Sequence, residues 1–360
     1  MAMTPLSHRL LGSAAATFDR AVVAAMQLKN RSVRARPEAL GHDERMTRLE
    51  AIRDTYGAPE LVTREDAYFE APPAIRPTER IVRTLAWGGT AVDLSWPSHV
   101  EPFAREMREG YLAHTRNRTA YARLFARTTP RPTAILIHGY MAGQWGLEER
   151  AWPVRWMNAR GLDVAIVLLP FHALRGDAGA SAPPFPGADP RLTNEGFRQA
   201  IGDIRALLRH LRERGAPLVG AMGMSLGGYT TSLLATVERE LAFAVPIIPL
   251  ASVADFARDQ GRLGTSHEAA LQHAALEAAN HVVSPFARPP LVPKDRVLVL
   301  GASSDRITPI AHAERIARHF DAPLVRFHGG HLLQFGRADG FREVRRMLER
   351  AGVIATRPVR

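Results

Sequence analysis

The chain has 360 residues, 46% hydrophobic and 23% charged, the composition of a globular protein with room for a sizeable core. It has no cysteine, which excludes disulfides, thiolate metal sites and a cysteine nucleophile; it fits a reducing compartment, and we predict a cytoplasmic protein. The net charge is +11, but no run of five basic residues and no nucleic-acid motif occurs, so we predict scattered surface arginines and no nucleic-acid partner, with an anionic partner as the alternative.

The N-terminal residues carry helical patterns. The apolar stretch 10–28 is interrupted by Asp19 and Arg20, and no segment has the roughly 18 apolar residues that a membrane span needs. We therefore predict no integral membrane segment and an amphipathic helix that packs on the protein itself, while peripheral contact with a membrane stays open. A second helix is predicted over 44–56.

The next stretch predicts a hairpin and more helix. Two apolar runs flank Gly88 and Gly89, which predicts a hairpin over 81–96. Residues 103–125 read as one or two helices. We accordingly predict a mainly helical N-terminal extension over 1–127, with its hairpin packed on the core.

From residue 128 onward, buried apolar runs alternate with amphipathic helices. This pattern predicts an α/β fold with a mostly parallel central sheet and helices on both faces. The strands are predicted at 133–137, 163–169, 218–222, 241–250, 296–300 and 324–327. Residues 251–293 break the alternation and are predicted to form a helical cap insertion. Functional groups in such a sheet collect at the carboxyl ends of the strands.

One strand end carries a nucleophile motif. The segment Gly223-Met-Ser-Leu-Gly227 is the chain's only Gly-x-Ser-x-Gly, and it falls between a predicted strand and a predicted helix. In a nucleophile elbow, the serine is held in a strained conformation, and small residues flank it where the strand and helix crowd together. Ser225 is therefore the predicted nucleophile.

A serine nucleophile needs a base and an orienting carboxylate. His331 follows a strand and the flexible pair Gly329-Gly330, and Asp305 follows another strand. The order Ser, Asp, His is the order of the elbow arrangement. His328 is the alternative base and Asp255 the alternative acid, and an aspartate placed like Asp305 is also a common helix cap.

The oxyanion of the reaction needs two backbone N–H groups. We predict them at Leu226, directly after the nucleophile, and at Tyr140, after a strand that ends in His138-Gly139. His138 is predicted to be a structural hydrogen-bonding residue.

Four segments together resemble the alpha/beta-hydrolase superfamily. They are Val-Gly-Ala-Met-Gly-Met-Ser-Leu-Gly-Gly, Ile-Leu-Ile-His-Gly-Tyr, Leu-Gly-Ala-Ser-Ser-Asp and Gly-Gly-His. The resemblance covers about 130–350 and implies a mostly parallel eight-stranded sheet and acyl transfer through a serine ester. The N-terminal region and Leu-Leu-Pro-Phe-His-Ala-Leu-Arg also resemble the alpha/beta-hydrolase domain 18 group.

The sequence thus predicts a serine hydrolase acting on the ester bond of a small acyl substrate. The alternatives are an acyltransferase, a thioesterase, a peptidase or a hydrolase-like binding protein without activity. Met224, His172 and Arg175 are predicted to contact substrate, with a structural role as the alternative for the last two. No cofactor is predicted, and none of the cap histidines, His267, His273 and His281, has neighbours at metal-ligand spacing.

Overall fold

The computed structural model describes residues 5–34, 40–99, 101–264 and 266–356, without the side chains of 5–9, 26–34 and 266. Its nine strands are β1 Thr78–Thr84, β2 Thr90–Pro97, β3 Thr119–Ala126, β4 Thr133–Ile137, β5 Asp163–Val167, β6 Val219–Met224, β7 Ala244–Ile247, β8 Val299–Ala302 and β9 Leu324–Phe327. They form one sheet in the order β1-β2-β3-β5-β4-β6-β7-β8-β9. The pairs from β5 to β9 are parallel, and the pairs that join β1, β2, β3 and β5 are antiparallel.

Helices cover both faces of the sheet. They are α1 Pro5–Arg34, α2 His42–Tyr56, α3 Glu60–Thr63, α4 Arg108–Leu112, α5 Trp145–Ala151, α6 Val154–Asn158, α7 Pro190–Glu213, α8 Leu226–Leu234, α9 Val253–Asp259, α10 Ser266–Ala279, α11 Ile310–His319 and α12 Arg337–Arg350. Every residue of β4, β5 and β6 is buried, as expected for strands covered on both sides. The predicted α/β class and its two helical layers are confirmed.

The two faces of the sheet bury two separate cores. Successive side chains of a strand point to opposite faces, so Ile135 and Ile137 of β4 lie in one core and Leu136 lies in the other. The first core includes side chains of α2, α7, α8 and α11, and the second includes side chains of α6 and α12. The parallel strands are thereby held between helices, with their carboxyl ends at one edge.

The first three strands correct the prediction for the N-terminal region. The hairpin is confirmed, since β1 pairs with β2 and Gly88 and Gly89 both have φ of 90° in the turn. The prediction of helices over 103–125 is wrong in its second half, where β3 pairs with β2 and β5. Every second residue of β3, namely Ala120, Ala122 and Leu124, is buried in the first core. This spacing of two residues is the period of a strand. The hairpin therefore extends the sheet, and the described strands number nine where the resemblance implied eight.

The N-terminal helices pack on the rest of the protein. The α1 helix buries Gly12, Ala15 and Asp19 on one stripe, as the prediction of a helix packed on the body required. None of the helices in the described part of the chain combines the length and the apolar character that crossing a bilayer requires.

The predicted cap contains α9 and α10. In α10, Gln272 Nε2 lies 3.0 Å from His42 Nδ1 of α2, and Gln272 Oε1 accepts from Arg45 Nη1 at 3.3 Å. The cap is thus joined to the N-terminal region. The division into an extension over 1–127 and a domain over 128–360 stays a prediction, because the sheet runs across it.

Several arginines are structural, which corrects the expectation that they are spread over the surface. Arg198 and Arg205 of α7 are almost fully buried. Arg205 pairs with Glu238 at 2.8 Å and with Asp66 at 2.9 Å, and Arg198 pairs with Glu70 at 2.6 Å. Part of the positive charge of the chain is therefore neutralised inside the fold.

Candidate active site

The predicted elbow has the strained backbone that the motif requires. Ser225 stands between β6 and α8 with φ 57° and ψ −113°, and its N–H donates to the Ile247 carbonyl at 3.0 Å. A Cβ added at Gly223 would lie 2.0 Å from the Gly227 carbonyl oxygen, and one added at Gly227 would lie 2.0 Å from that of Ile137. A backbone conformation like that of Ser225 costs of order 1–3 kcal/mol, and it persists because the surrounding packing leaves no alternative. Both motif glycines are therefore sterically required.

The three residues predicted from their strand ends meet in space. His331 Nε2 lies 3.0 Å from Ser225 Oγ, and His331 Nδ1 lies 2.7 Å from Asp305 Oδ2. His331 and Asp305 are buried, and Ser225 is partly exposed. In this geometry, the imidazole can accept the serine proton while its other N–H donates to the carboxylate.

Asp305 is held from the opposite side. Its Oδ1 accepts from the N–H groups of Ile307 and Thr308, each at 2.8 Å, and the Thr308 hydroxyl donates to its Oδ2 at 3.0 Å. The aspartate thus caps the turn before α11 and also contacts His331, so the two roles are combined. Thr308 was missed by the sequence reasoning, although its place three residues after an aspartate is a turn signal.

The electrostatics of the site act mainly on the histidine. Burial lowers the pKa of His331, but the negative charge of Asp305, the hydrogen bond to it and the charge of Asp19 outweigh burial. The pKa of His331 is therefore raised above its ordinary value. A more basic imidazole is a stronger acceptor for the proton of Ser225.

The two rivals for these roles lie elsewhere. Asp255 is paired with His273 at 2.9 Å, with Arg315 at 2.5 Å and with Arg258 at 3.0 Å, in the cap region. The ring of His328 packs under the loop before α12, where a Cβ added at Gly336 would lie 2.6 Å from it. Neither residue takes part in the hydrogen bonds of Ser225.

The loop after β4 lies against the elbow. A Cβ added at Gly139 would be 3.5 Å from Ser225 Cβ, so the backbone that carries Tyr140 runs directly beside the nucleophile. Leu226 is the first residue of α8, where a helix N–H has no intrahelical partner. Leu226 therefore adjoins Ser225 in the chain and Gly139 lies beside it, while the role of the Leu226 and Tyr140 N–H groups as oxyanion donors stays a prediction.

Two buried side chains hold this loop. Glu148 accepts from the Gly143 N–H at 2.9 Å and from Trp152 Nε1 at 3.1 Å. His138 Nε2 accepts from the Leu169 N–H at 3.0 Å, and burial lowers the pKa of His138 to about 3, so its ring is neutral. The predicted structural role of His138 is confirmed. Glu148 was missed because it lies inside a short helix and belongs to no motif.

The predicted substrate contacts have different outcomes. Arg175 is fully buried, pairs with Asp203 at 2.8 Å and donates to the carbonyls of Leu168 and Asn117, each at 3.0 Å. The guanidinium therefore uses its hydrogen bonds inside the protein. The prediction that Arg175 contacts substrate is wrong, and the alternative of a structural role holds.

His172 is corrected in the same way. It is fully buried, and its Nδ1 lies 2.8 Å from the Pro170 carbonyl oxygen, so it also anchors the loop after β5. Met224 directly precedes the nucleophile, and its Sδ lies 3.3 Å from Arg337 Nη1. Its substrate contact stays a prediction.

A carboxylate that belongs to no motif also reaches this site. Asp19 of α1 is completely buried and accepts from the N–H of His331 at 2.7 Å. No short-range pattern in the sequence indicates this contact, since the two residues are 312 positions apart.

Two other features do not belong to the site. An open cavity of about 470 Å³ is lined by Trp87, Trp156 and Arg155, among others, and by none of Ser225, Asp305 or His331. Among the described residues, one group could offer three atoms to a metal: Asp255, His273 and Glu277. Arginine side chains already pair with its carboxylates, so we assign it as an ion-pair network.

The sheet order, the strained serine and the hydrogen-bonded imidazole and carboxylate define the class: the chain has the alpha/beta-hydrolase fold. Acetyl xylan esterase 1 from Thermoanaerobacterium sp. JW/SL YS485 is similar to it at 17% identity, with a TM-score of 0.53 over 83% of this chain and 93% of that one. The acetyl xylan esterase from Paenibacillus sp. R4 has the same TM-score at 13% identity, over 83% and 94%.

Sequence relatives identify the family more closely. Uncharacterized protein Rv2627c of Mycobacterium tuberculosis (strain ATCC 25618 / H37Rv) is 31% identical over 314 residues, 83% of this chain and 73% of that protein. The chain belongs to the same family as this protein. Uncharacterized protein MT2702 of M. tuberculosis (strain CDC 1551 / Oshkosh) is 33% identical over 253 residues, 68% of this chain and 60% of that protein. No protein-family model matches the chain.

Proposed function

We propose that the protein is a serine hydrolase that cleaves a carboxylic ester through an acyl-enzyme intermediate. The observation that carries the proposal is the continuous hydrogen-bond chain from Ser225 Oγ through His331 to Asp305, at a serine with φ 57°. A serine hydroxyl gains useful nucleophilicity from such a base, and the carboxylate keeps the imidazole in the productive tautomer. We also propose that the chain is related to the alpha/beta-hydrolase domain 18 group, which its N-terminal region resembles.

The reaction follows from this geometry. His331 Nε2 takes the proton of Ser225 as Oγ attacks the carbonyl carbon of the ester, and the N–H groups of Tyr140 and Leu226 bind the oxyanion that forms. The imidazolium then gives its proton to the leaving alcohol, and the acyl group remains on Ser225. A water molecule loses a proton to His331 and attacks the acyl carbon, which releases the carboxylic acid and restores the serine.

The surface beside the elbow supports an apolar acyl group. Tyr140 and Met141 of the loop after β4, and Leu332 and Leu333 directly after His331, are exposed apolar side chains. Met224 directly precedes Ser225 in the chain, and we propose that these side chains together form an apolar surface for the acyl group. We expect the KM for p-nitrophenyl esters to fall as the acyl chain lengthens, until the acyl chain is longer than this surface.

A fluorophosphonate probe tests the nucleophile. We expect wild type to be labelled at Ser225 and Ser225→Ala to be unlabelled. Ser232→Ala is the matched control, because Ser232 lies in α8, the helix that follows Ser225, and its hydroxyl donates to the Gly228 carbonyl at 2.9 Å. An unlabelled wild type, or labelling that survives Ser225→Ala, would overturn the proposal and favour a binding protein of this fold.

The same chemistry serves related acyl bonds. Labelling without turnover of any ester would favour a thioester or peptide substrate. Acyl product that forms only when a second acceptor is supplied would identify an acyltransferase.

A further inference from the structure

The N-terminal helix brings a second carboxylate to the histidine of the site. Asp19 of α1 has 0% exposure, and its two oxygens accept from three backbone N–H groups. Oδ2 accepts from His331 at 2.7 Å and from Arg306 at 3.3 Å, and Oδ1 accepts from Leu332 at 3.3 Å. A buried carboxylate is costly unless it is hydrogen-bonded, and hydrogen bonds to an ionised acceptor are about twice as strong as neutral ones.

These three N–H groups belong to two loops. Arg306 directly follows Asp305 in the loop after β8, while His331 and Leu332 lie in the loop after β9. One carboxylate therefore ties together the two loops that supply the predicted acid and base. The separation between those loops decides whether the imidazole reaches both Asp305 and Ser225.

The approach of α1 to these loops is close and depends on glycines. A Cβ added at Gly330 would lie 2.6 Å from Asp19 Oδ2, and one added at Gly12 would lie 2.8 Å from Ser304 Oγ and 2.9 Å from the His328 carbonyl oxygen. The helix thus meets the loops where both backbones lack side chains. This close approach brings the Asp19 carboxylate to the backbone N–H of His331.

We infer that Asp19 is a positioning residue for the catalytic pair: from the N-terminal helix, it fixes the backbone of His331 relative to Asp305 and adds a negative charge beside the imidazole. The inference rests on the proposed function. It makes α1 a part of the active site, although α1 supplies no reacting atom.

Charge and geometry act together here. The carboxylates that raise the pKa of His331 are Asp305, in the loop after β8, and Asp19, in α1. The hydroxyls within reach, those of Ser225 and Thr308, are neutral. On α12, the Arg337 guanidinium contacts Met224 Sδ at 3.3 Å and donates to Gln334 Oε1 at 3.0 Å. Loss of the Asp19 charge should therefore lower the pKa of the imidazole.

The test compares Asp19→Asn with wild type. The amide keeps the size of the side chain and removes its charge. We measure the rate of fluorophosphonate labelling and kcat/KM for a p-nitrophenyl ester from pH 5 to 9. For Asp19→Asn, we expect a loss of roughly ten- to a hundredfold at neutral pH and an acid limb moved down by a few tenths of a pH unit to about one unit.

The control is Asp163→Asn. Asp163 is also a buried carboxylate that accepts from a backbone N–H, that of Arg127, but it stands at the amino end of β5, away from Ser225. We expect its pH profile to match wild type. If a variant only disturbs packing, it should lower the fraction of labelled protein or the melting temperature, and the acid limb of its kcat/KM profile should not move.

The outcomes separate the two proposals. A wild type that the probe does not label overturns the proposed function. A labelled wild type with an Asp19→Asn variant of unchanged rate and unchanged acid limb overturns the role of Asp19. If Asp19→Asn does not fold, Gly12→Ala decides, because its added methyl group displaces α1 from the loops; an unchanged profile in that folded variant also overturns the inference.

Discussion

The two parts of the chain on either side of residue 127 contribute different things to the same site. The later part supplies Ser225, Asp305 and His331, each at the carboxyl end of a parallel strand. The earlier part supplies no member of that hydrogen-bond chain, but it adds three strands to the sheet and places Asp19 against the His331 loop. The proposed catalytic residues therefore lie in the later part, while the earlier part contributes support, and substitutions in the two should affect activity and stability differently.

The largest effect is expected from a change of the acid in the later part. We expect Asp305→Asn to lower kcat by roughly 10⁴-fold, because an amide favours the wrong tautomer of the imidazole. Asp255→Asn, the alternative acid, should stay within about twofold of wild type in kcat, since Asp255 pairs with His273 and arginines in the cap. A loss of less than tenfold in Asp305→Asn would contradict the assignment.

A carboxylate that joins the two parts should instead affect stability. Buried Glu195 of α7 accepts from the Tyr56 hydroxyl at 2.6 Å and from the N–H groups of Phe103 and Ala104, at 2.9 and 3.0 Å. We expect Glu195→Ala to lower the free energy of unfolding by about 2–5 kcal/mol, measured by urea denaturation, because three donors lose their acceptor.

The control for this change lies on the same helix. Glu213 is exposed at the end of α7, and Glu213→Ala should change the free energy of unfolding by less than about 0.5 kcal/mol. The rate per labelled active site should be the same in both variants. A lower rate per site in Glu195→Ala, with unchanged stability, would mean that the joint between the two parts controls the chemistry directly.

A smaller effect is expected from the support of the loop after β4. Glu148→Ala removes the acceptor of the Gly143 N–H and of Trp152 Nε1. Deleting an oxyanion donor itself costs about 10²–10³-fold in kcat, so loosening its loop should cost roughly ten- to a hundredfold, with KM little changed. Glu149→Ala is the matched control, since its carboxylate pairs with Arg83 and Arg123. Equal kcat values for the two variants would disprove a link between this loop and the oxyanion.

The smallest expected signature is the pH dependence of wild type. Only the neutral imidazole of His331 accepts a proton from Ser225, and its pKa is raised. Activity is therefore present above that pKa and is lost as the pH falls through it. We expect the acid limb of kcat/KM to have its midpoint above the ordinary histidine value of about 6.5. A midpoint below about 6 would show that the two carboxylates do not outweigh burial.

Local patterns predicted the parallel half of the sheet well. The strands β4 and β9 have the bounds predicted for them, because each lies between a proline and a His-Gly pair, which leave few alternatives. The strand β3 was missed, because a segment that begins with the short helix α4 was read with one period throughout. Its strand character depends on pairing with β2 and β5, which lie about 30 and 40 residues away.

The sequence alone predicted the alpha/beta class, the elbow around Ser225, and His331 and Asp305 as base and acid with His328 and Asp255 as alternatives, because each of these follows from a strand end and its neighbours. The burial of Arg175 and His172 as anchors, and the contacts by which Glu148 holds the loop after β4, became visible in the folded structure. The clearest case is Asp19. In the sequence it only interrupts an apolar stretch, but in the fold it accepts from an N–H group 312 positions away. A contact at that separation is set by how α1 packs, which no local pattern encodes.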